Sequence, residues 1–168
     1  YRRDFPKIVA FWYELEKAFK NGGQAGPILI EKRGQLRILL LPSGRPLYYH
    51  GFKETSRMVR DPDDDSEHLE RAYGYEGRYG FKYVWRGALI ENVAQAINAD
   101  ISDWYKVRAH REIAPVMHHC YDEFTMELDE SALDRVQTQL KELLATQPDW
   151  SQGLPLGFDS WVDYRYGK

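Results

Sequence analysis

Asp122 and Glu123 are adjacent carboxylates in a stretch, Pro115 to Leu128, that carries apolar residues on both sides of them. Val116, Met117 and Cys120 predict one strand. Phe124, Met126 and Leu128, alternating with Thr125 and Glu127, predict a second, half-buried one. The acids then fall where two strands turn back on each other. Hard oxygens held out from a rigid support suit a divalent cation. Aspartate is equally common in turns for local hydrogen-bonding reasons, so from these residues alone an acidic surface turn is the plainer reading.

Other chemistry has weaker footing. His118, His119 and Cys120 are consecutive, so on a strand their side chains alternate faces and do not converge on zinc. The same alternation argues against a Cys–His nucleophile and leaves Cys120 as a core-strand residue. His68 and His110 lack metal-ligand spacing to anything else. The acidic run Asp61–Asp65 lacks the glycine and distal glutamate of a calcium loop and reads as a solvated surface loop. No phosphate-cradling glycine loop, nucleophile elbow or dinucleotide fingerprint is present. Arg33, Arg37 and Arg45 add local positive charge to one region, either as a phosphate clamp or as ordinary solvated side chains.

The elements that must position these groups follow from periodicity. Asp4 and Pro6 predict a helix start, with Ile8, Phe11, Leu15, Ala18 and Phe19 on one face of a helix over 4–20, closed by Gly22-Gly23. Residues 26–50 read as a β-ribbon around turns at Lys32-Arg33-Gly34 and Ser43-Gly44-Arg45. Residues 53–80 show little periodicity and read as an irregular loop, before a short strand at Phe81–Trp85. Over 87–105 Leu89, Val93, Ile97, Ile101 and Trp104 share one face of a long helix. The opposite face carries Glu91, Gln95, Asn98 and Ser102, with Asn92 at its border. Amide side chains there donate and accept at once, which suits base edges and sugars as well as water. The acidic hairpin occupies 115–128. Ser131 and Asp134 resemble a capping box opening a helix over 131–146, and an aromatic strand over 154–166 ends the pattern. The fold class is α+β: an antiparallel sheet carrying the Asp-Glu hairpin, packed against helices.

The totals set bounds. A chain of 168 residues with net charge −3 can bury a core but offers no global basic field for nucleic acid, so a polyanion must be held by local patches or a bound metal. The 12 Tyr and 5 Trp suit stacking surfaces and packed cores alike. A single cysteine excludes an internal disulfide and fits a reducing compartment. No apolar run has membrane-spanning length, so no membrane association is expected, and a cytoplasmic location is. The chain starts at Tyr1 and enters a helix almost at once, as if cut from something longer.

In order, the Gly44-Arg45 turn, the helix bearing Gln95, the Asp122-Glu123 hairpin, a further helix and an aromatic tail resemble the C-terminal palm segment of family A DNA polymerases, the polymerase I type, and bacteriophage members above all. Tyr1 to Trp12 is similar to the helix that follows the fingers. Ser43 to Tyr48 is similar to the family's Gly-Arg hairpin, and Leu89 to Asp100 to the phage form of the helix whose Gln faces the minor groove. Tyr121-Asp122-Glu123 stands where the family has His-Asp-Glu, and Pro148 to Leu156, with Trp161 and Tyr166, is like the phage C-terminus. The resemblance implies a DNA-templated DNA polymerase acting on primer–template DNA and dNTPs with two Mg2+ ions. Asp122 is implied as a metal ligand, Glu123 as a supporting acid, Gln95 and Asn92 as minor-groove contacts, and Arg45, Arg33 and Tyr121 as further DNA contacts. A phenol at 121 keeps one hydrogen-bonding group but lacks imidazole's second nitrogen. The family's second metal-binding Asp and its fingers helix have no counterpart in residues 1–168. The expectation is therefore a polymerase that works only with a second, N-terminal polypeptide carrying the fingers, the rest of the palm and the other Asp, with or without an exonuclease. The alternative is a non-catalytic nucleic-acid-binding or assembly module on the same scaffold.

Overall fold

The structure, a computed structural model, describes residues 4–61 and 65–166. Tyr1 to Arg3 of the first resembling segment, and Pro62, Asp63 and Asp64 of the acidic run, lie outside the described residues. The chain divides into two compact units, one up to Ile97 and one from Asn98. It is a mixed helix-and-strand fold of the α+β class.

In the first unit, α1 (Pro6–Asn21) starts with Pro at its first position, so Phe5 and not Asp4 occupies the N-cap, and no side chain caps it. Proline's fixed φ and missing N–H suit the first helical position, which moves the cap to the residue before it. Gly22 ends the helix at φ 83°, its N–H donating to the Ala18 carbonyl at 2.7 Å. Six antiparallel strands follow in sequence order: β1 (Gly23–Ala25), β2 (Ile28–Arg33), β3 (Leu36–Leu40), β4 (Pro46–Arg60), β5 (Glu67–Gly77) and β6 (Gly80–Val84). Leu15 and Phe19 of α1 pack with Ile28, Ile30, Leu39, Tyr49 and Phe52 of the sheet and with Leu89 and Val93. The Phe19 ring meets Tyr49 and Phe52 edge-on at 5.0 and 5.2 Å.

The stretch 53–80 is therefore not an irregular loop but most of a long β-ribbon. Its sequence hides this because charged residues stand on both faces, leaving no apolar alternation to read. Backbone pairing and cross-strand charge matching hold it instead: Arg57 lies opposite Glu70 and bonds it at 2.9 Å, and Arg71 pairs diagonally with Glu54. A bulge between His50 and Lys53, with Gly51 at φ 63°, breaks the register where the ribbon leaves the buried part of the sheet.

Helix α2 (Arg86–Glu112) runs well past Tyr105. Ile101, Tyr105 and Ala109 are all buried, so the stripe continues through a small residue that local hydropathy underweights. It stops where Ile113 and Ala114 both donate to the Ala109 carbonyl ahead of Pro115, which disfavours further helix. In the second unit β7 (Val116–Cys120) and β8 (Glu123–Met126) pair, among the described residues, only with each other. The Asp-Glu hairpin is thus a separate two-stranded sheet, not part of the large one, because the helix interrupts the strand-to-strand meander before β7. Cys120 is exposed rather than a core residue, since β7 leaves most of its side chains open. Ser131 lies in a 3-10 turn at Glu130–Ala132, and α3 (Leu133–Leu144) begins after Ala132 without a side-chain cap, so the capping box does not form. Val136 and Leu143 are its buried positions. A second 3-10 turn, Asp149–Ser151, precedes the tail. Residues 154–166 form no strand: they lack a pairing partner, and the segment is fixed by side chains, with Phe158 against the Tyr105 ring at 4.8 Å and Gln147 donating to the Leu154 carbonyl. No helix among the described residues is long and apolar enough to cross a membrane.

Candidate functional site

Cys120 and Glu123 are opposite one another in the β7–β8 register, so Tyr121 and Asp122 form a two-residue hairpin loop. Tyr121 has φ 54°, and Asp122 is not among the positive-φ residues. Positive φ at the first loop position alone is the type II′ pattern, which normally places glycine there. A bulky residue in that conformation is strained and needs its surroundings to hold it. Two side chains do so: the His119 ring Nε2–H donates to the Tyr121 carbonyl at 2.9 Å, and the Ser102 hydroxyl donates to the same oxygen at 3.4 Å. The Tyr121 ring stays 87% exposed.

The hairpin therefore presents, in order, an exposed phenol, an exposed carboxylate on Asp122 and a half-buried carboxylate on Glu123. Asp122 offers hard oxygens to a divalent cation without a neighbouring residue that must move first. Among the described residues no group of three or more His, Cys, Asp or Glu side chains converges to hold a metal ion. Two adjacent carboxylates, one exposed and one half-buried, are less than a complete cage for such an ion.

The other sequence-predicted residues belong to the first unit. Arg45, in the turn between β3 and β4, donates from Nη2 to the Ala96 carbonyl on α2 at 2.8 Å. That bond brings the Gly-Arg turn to the turn of helix that bears Gln95, whose side chain is exposed. The Asn92 amide donates to the Tyr49 hydroxyl at 3.2 Å, so this residue braces the sheet as well as facing outward. Burial raises the Tyr49 pKa, and the Asn92 bond offsets part of that. Arg33 stands at the other end of β3 from Arg45, beside Glu31 at 2.5 Å. The arginines of this region thus form no common clamp. Arg37 in particular is not a solvated charge: it is 3% exposed and donates to main-chain carbonyls. Of the residues that hold the acidic turn, Ser102 lies on the polar stripe of the α2 sequence. His119 carries no local signal, because its role depends on the loop conformation.

Compared with known proteins, the chain is 27% identical over 176 aligned positions to the DNA polymerase of Bacillus phage SP02. The alignment takes in 96% of this chain and 25% of the phage protein, so the chain spans about a quarter of that protein's length. The chain is related to a DNA polymerase. No protein-family model matches the chain, and no solved structure matches it significantly.

Proposed function

We propose that residues 1–168 form the C-terminal palm segment of a family A DNA polymerase and complete its active site together with a second polypeptide. The observation that carries this reading is the similarity to a phage DNA polymerase along nearly the whole chain, with Asp122 held out on a hairpin turn. In this reading Asp122 ligates Mg2+, and Glu123, half-buried beside it, supports the carboxylate. Divalent cations held there would supply the chemistry of nucleotidyl transfer, acidifying a primer 3′ hydroxyl and neutralising charge on the triphosphate.

The chain's own residues bind and orient. Gln95 donates to purine N3 or pyrimidine O2 in the minor groove, acceptors found at every base pair, so it senses pairing geometry rather than sequence. Asn92 lines the same helix while bracing Tyr49. Arg45 holds the primer–template backbone near Gln95, Arg33 touches a separate stretch of it, and the exposed Tyr121 phenol lies against the primer end. The remaining metal-binding Asp, the fingers and the dNTP-gripping side chains come from outside residues 1–168, on the partner.

The test is primer extension with Mg2+ after mixing the chain with the candidate N-terminal polypeptide. Asp122→Ala is expected to lower extension about 100-fold or more, the loss of roughly 3 kcal/mol of transition-state stabilisation. Normal extension by that variant sinks the assignment of Asp122. DNA binding that ignores Mg2+, with no extension alongside any partner, would instead support a non-catalytic module.

A further inference from the structure

Within the second unit, a groove of about 390 Å3 lies between the C-terminal half of α2 and strand β7. Lys106, His110 and Arg111 line it from the helix and His118 and His119 from the strand, and none of its lining residues is a carboxylate. On a chain of net charge −3 this is a local concentration of donors whose lining holds no acid. Some exposed cations elsewhere are instead ion-paired, as Arg57 with Glu70, Arg71 with Glu54 and Arg108 with Glu112. The Arg111 guanidinium makes no ion pair or hydrogen bond to the described residues. Lys106 pairs with Asp103, three residues away on an exposed face, and such a surface pair gives way to a phosphate at little cost.

The imidazoles are oriented. Val116 N–H donates to His110 Nδ1 at 3.1 Å, which puts the proton of the neutral ring on Nε2 and keeps that ring a donor at its other edge. His119 spends its Nε2 on the Tyr121 carbonyl. The His118 ring lines the groove and meets the Tyr166 ring edge-on at 5.4 Å. Val107 and the 64% exposed Met117 add apolar area between the cations. Cations tracking a backbone beside apolar and ring surfaces that accept bases are the combination that holds single-stranded nucleic acid.

We propose that this groove binds one nucleic-acid strand, its phosphates on Lys106 and Arg111 and its bases against His118 and Met117. The groove is lined by residues of the second unit, whereas Gln95 belongs to the first, so the two contacts use different residues. The choice of nucleic acid over another polyanion rests on the polymerase reading above; the anion site rests on the groove alone.

The experiment is fluorescence anisotropy of a labelled oligo(dT) with chain 1–168, titrated over a salt series. Lys106→Gln/Arg111→Gln is expected to weaken binding at least tenfold and to make the slope of log K against log salt shallower by about 1.4, two phosphate contacts on a single strand. The charge-matched control Lys53→Gln/Arg57→Gln should leave both unchanged, and Arg111→Gln alone should give an intermediate loss if the double variant does not fold. Unchanged affinity and slope in the groove variants, no oligo(dT) binding by the wild-type chain, or equal affinity for poly-glutamate overturns the proposal. Groove-dependent oligo(dT) binding without primer extension in the presence of the partner would leave the groove standing and sink the polymerase reading.

Discussion

At Arg37 the guanidinium donates to the Phe19 and Lys20 carbonyls, at 2.8 and 3.1 Å, and to Gly34 and Leu36, at 2.8 and 3.1 Å. The first two belong to the last turn of α1, where carbonyls lack helical partners and the helix dipole favours a cation. The same group lies over the Phe52 ring at 4.2 Å. Burial lowers its pKa, but guanidinium stays protonated at any ordinary pH. Arg37→Ala should therefore cost about 3 kcal/mol by orphaning buried carbonyls, read as a lower urea midpoint. Arg37→Lys should recover only part, since ammonium lacks the planar fork; full recovery by Lys would show that charge alone matters. Tyr121 poses the opposite case. Glycine is the natural residue at its φ of 54°, so Tyr121→Gly should leave thermal stability unchanged or higher while lowering primer extension if the phenol touches the primer. A fall in stability instead would mean that the ring, and not the backbone, fixes the hairpin. Neither role is legible in sequence, because each depends on which carbonyl the fold brings within reach.

Among the elements, those with clear apolar periodicity were legible and those built from charge matching were not. The stripe Leu15, Ala18, Phe19 identifies α1, and Leu89, Val93, Ile101 identifies α2, because each buries one face. The β4–β5 ribbon escapes the same reading because its outer pairs, such as Met58 opposite Leu69 and Arg57 opposite Glu70, leave both faces open to water. Its glycines have a purpose that spacing does not reveal. A Cβ on Gly74 would lie 2.2 Å from the Phe81 ring and 2.6 Å from the Lys82 carbonyl oxygen. Gly74→Ala must push β5 and β6 apart, and is expected to destabilise by about 2 kcal/mol, with early loss of amide-exchange protection along β6. Protection unchanged in β6 would show that the Phe81 ring simply rotates away. The acidic hairpin was legible as two strands and a turn; its separation from the large sheet was not, since pairing partners are not encoded in a strand's own alternation. The tail's aromatic residues mimic a strand but contain Pro155 and Gly157 and find no edge to join.

For the molecule as a whole, buried phenols couple protonation to folding at the alkaline end. Tyr49 lies in the first unit and Tyr105 in the second, the latter donating to the Thr146 carbonyl at 2.6 Å. Burial raises both pKa values above the ordinary tyrosine value. A raised folded pKa contributes stability that is complete below the unfolded pKa, about 10, and is lost as pH rises through the folded value. At the acid end, Arg108 holds the Glu112 carboxyl below its usual value, chiefly through their hydrogen bond. That contribution is present above the ordinary glutamate range and lost as pH falls through the folded value, but the pair is exposed and screened, so its effect is small. The expected profile is a urea midpoint that is nearly flat across neutral pH and falls above about pH 10. Tyr49→Phe should flatten the alkaline fall in the first unit, and Tyr105→Phe in the second, although each variant starts lower because a hydrogen bond is lost. Circular dichroism and tryptophan fluorescence at pH 8 and pH 11 would read both variants side by side, and an undiminished alkaline loss in the double variant would assign it to other groups.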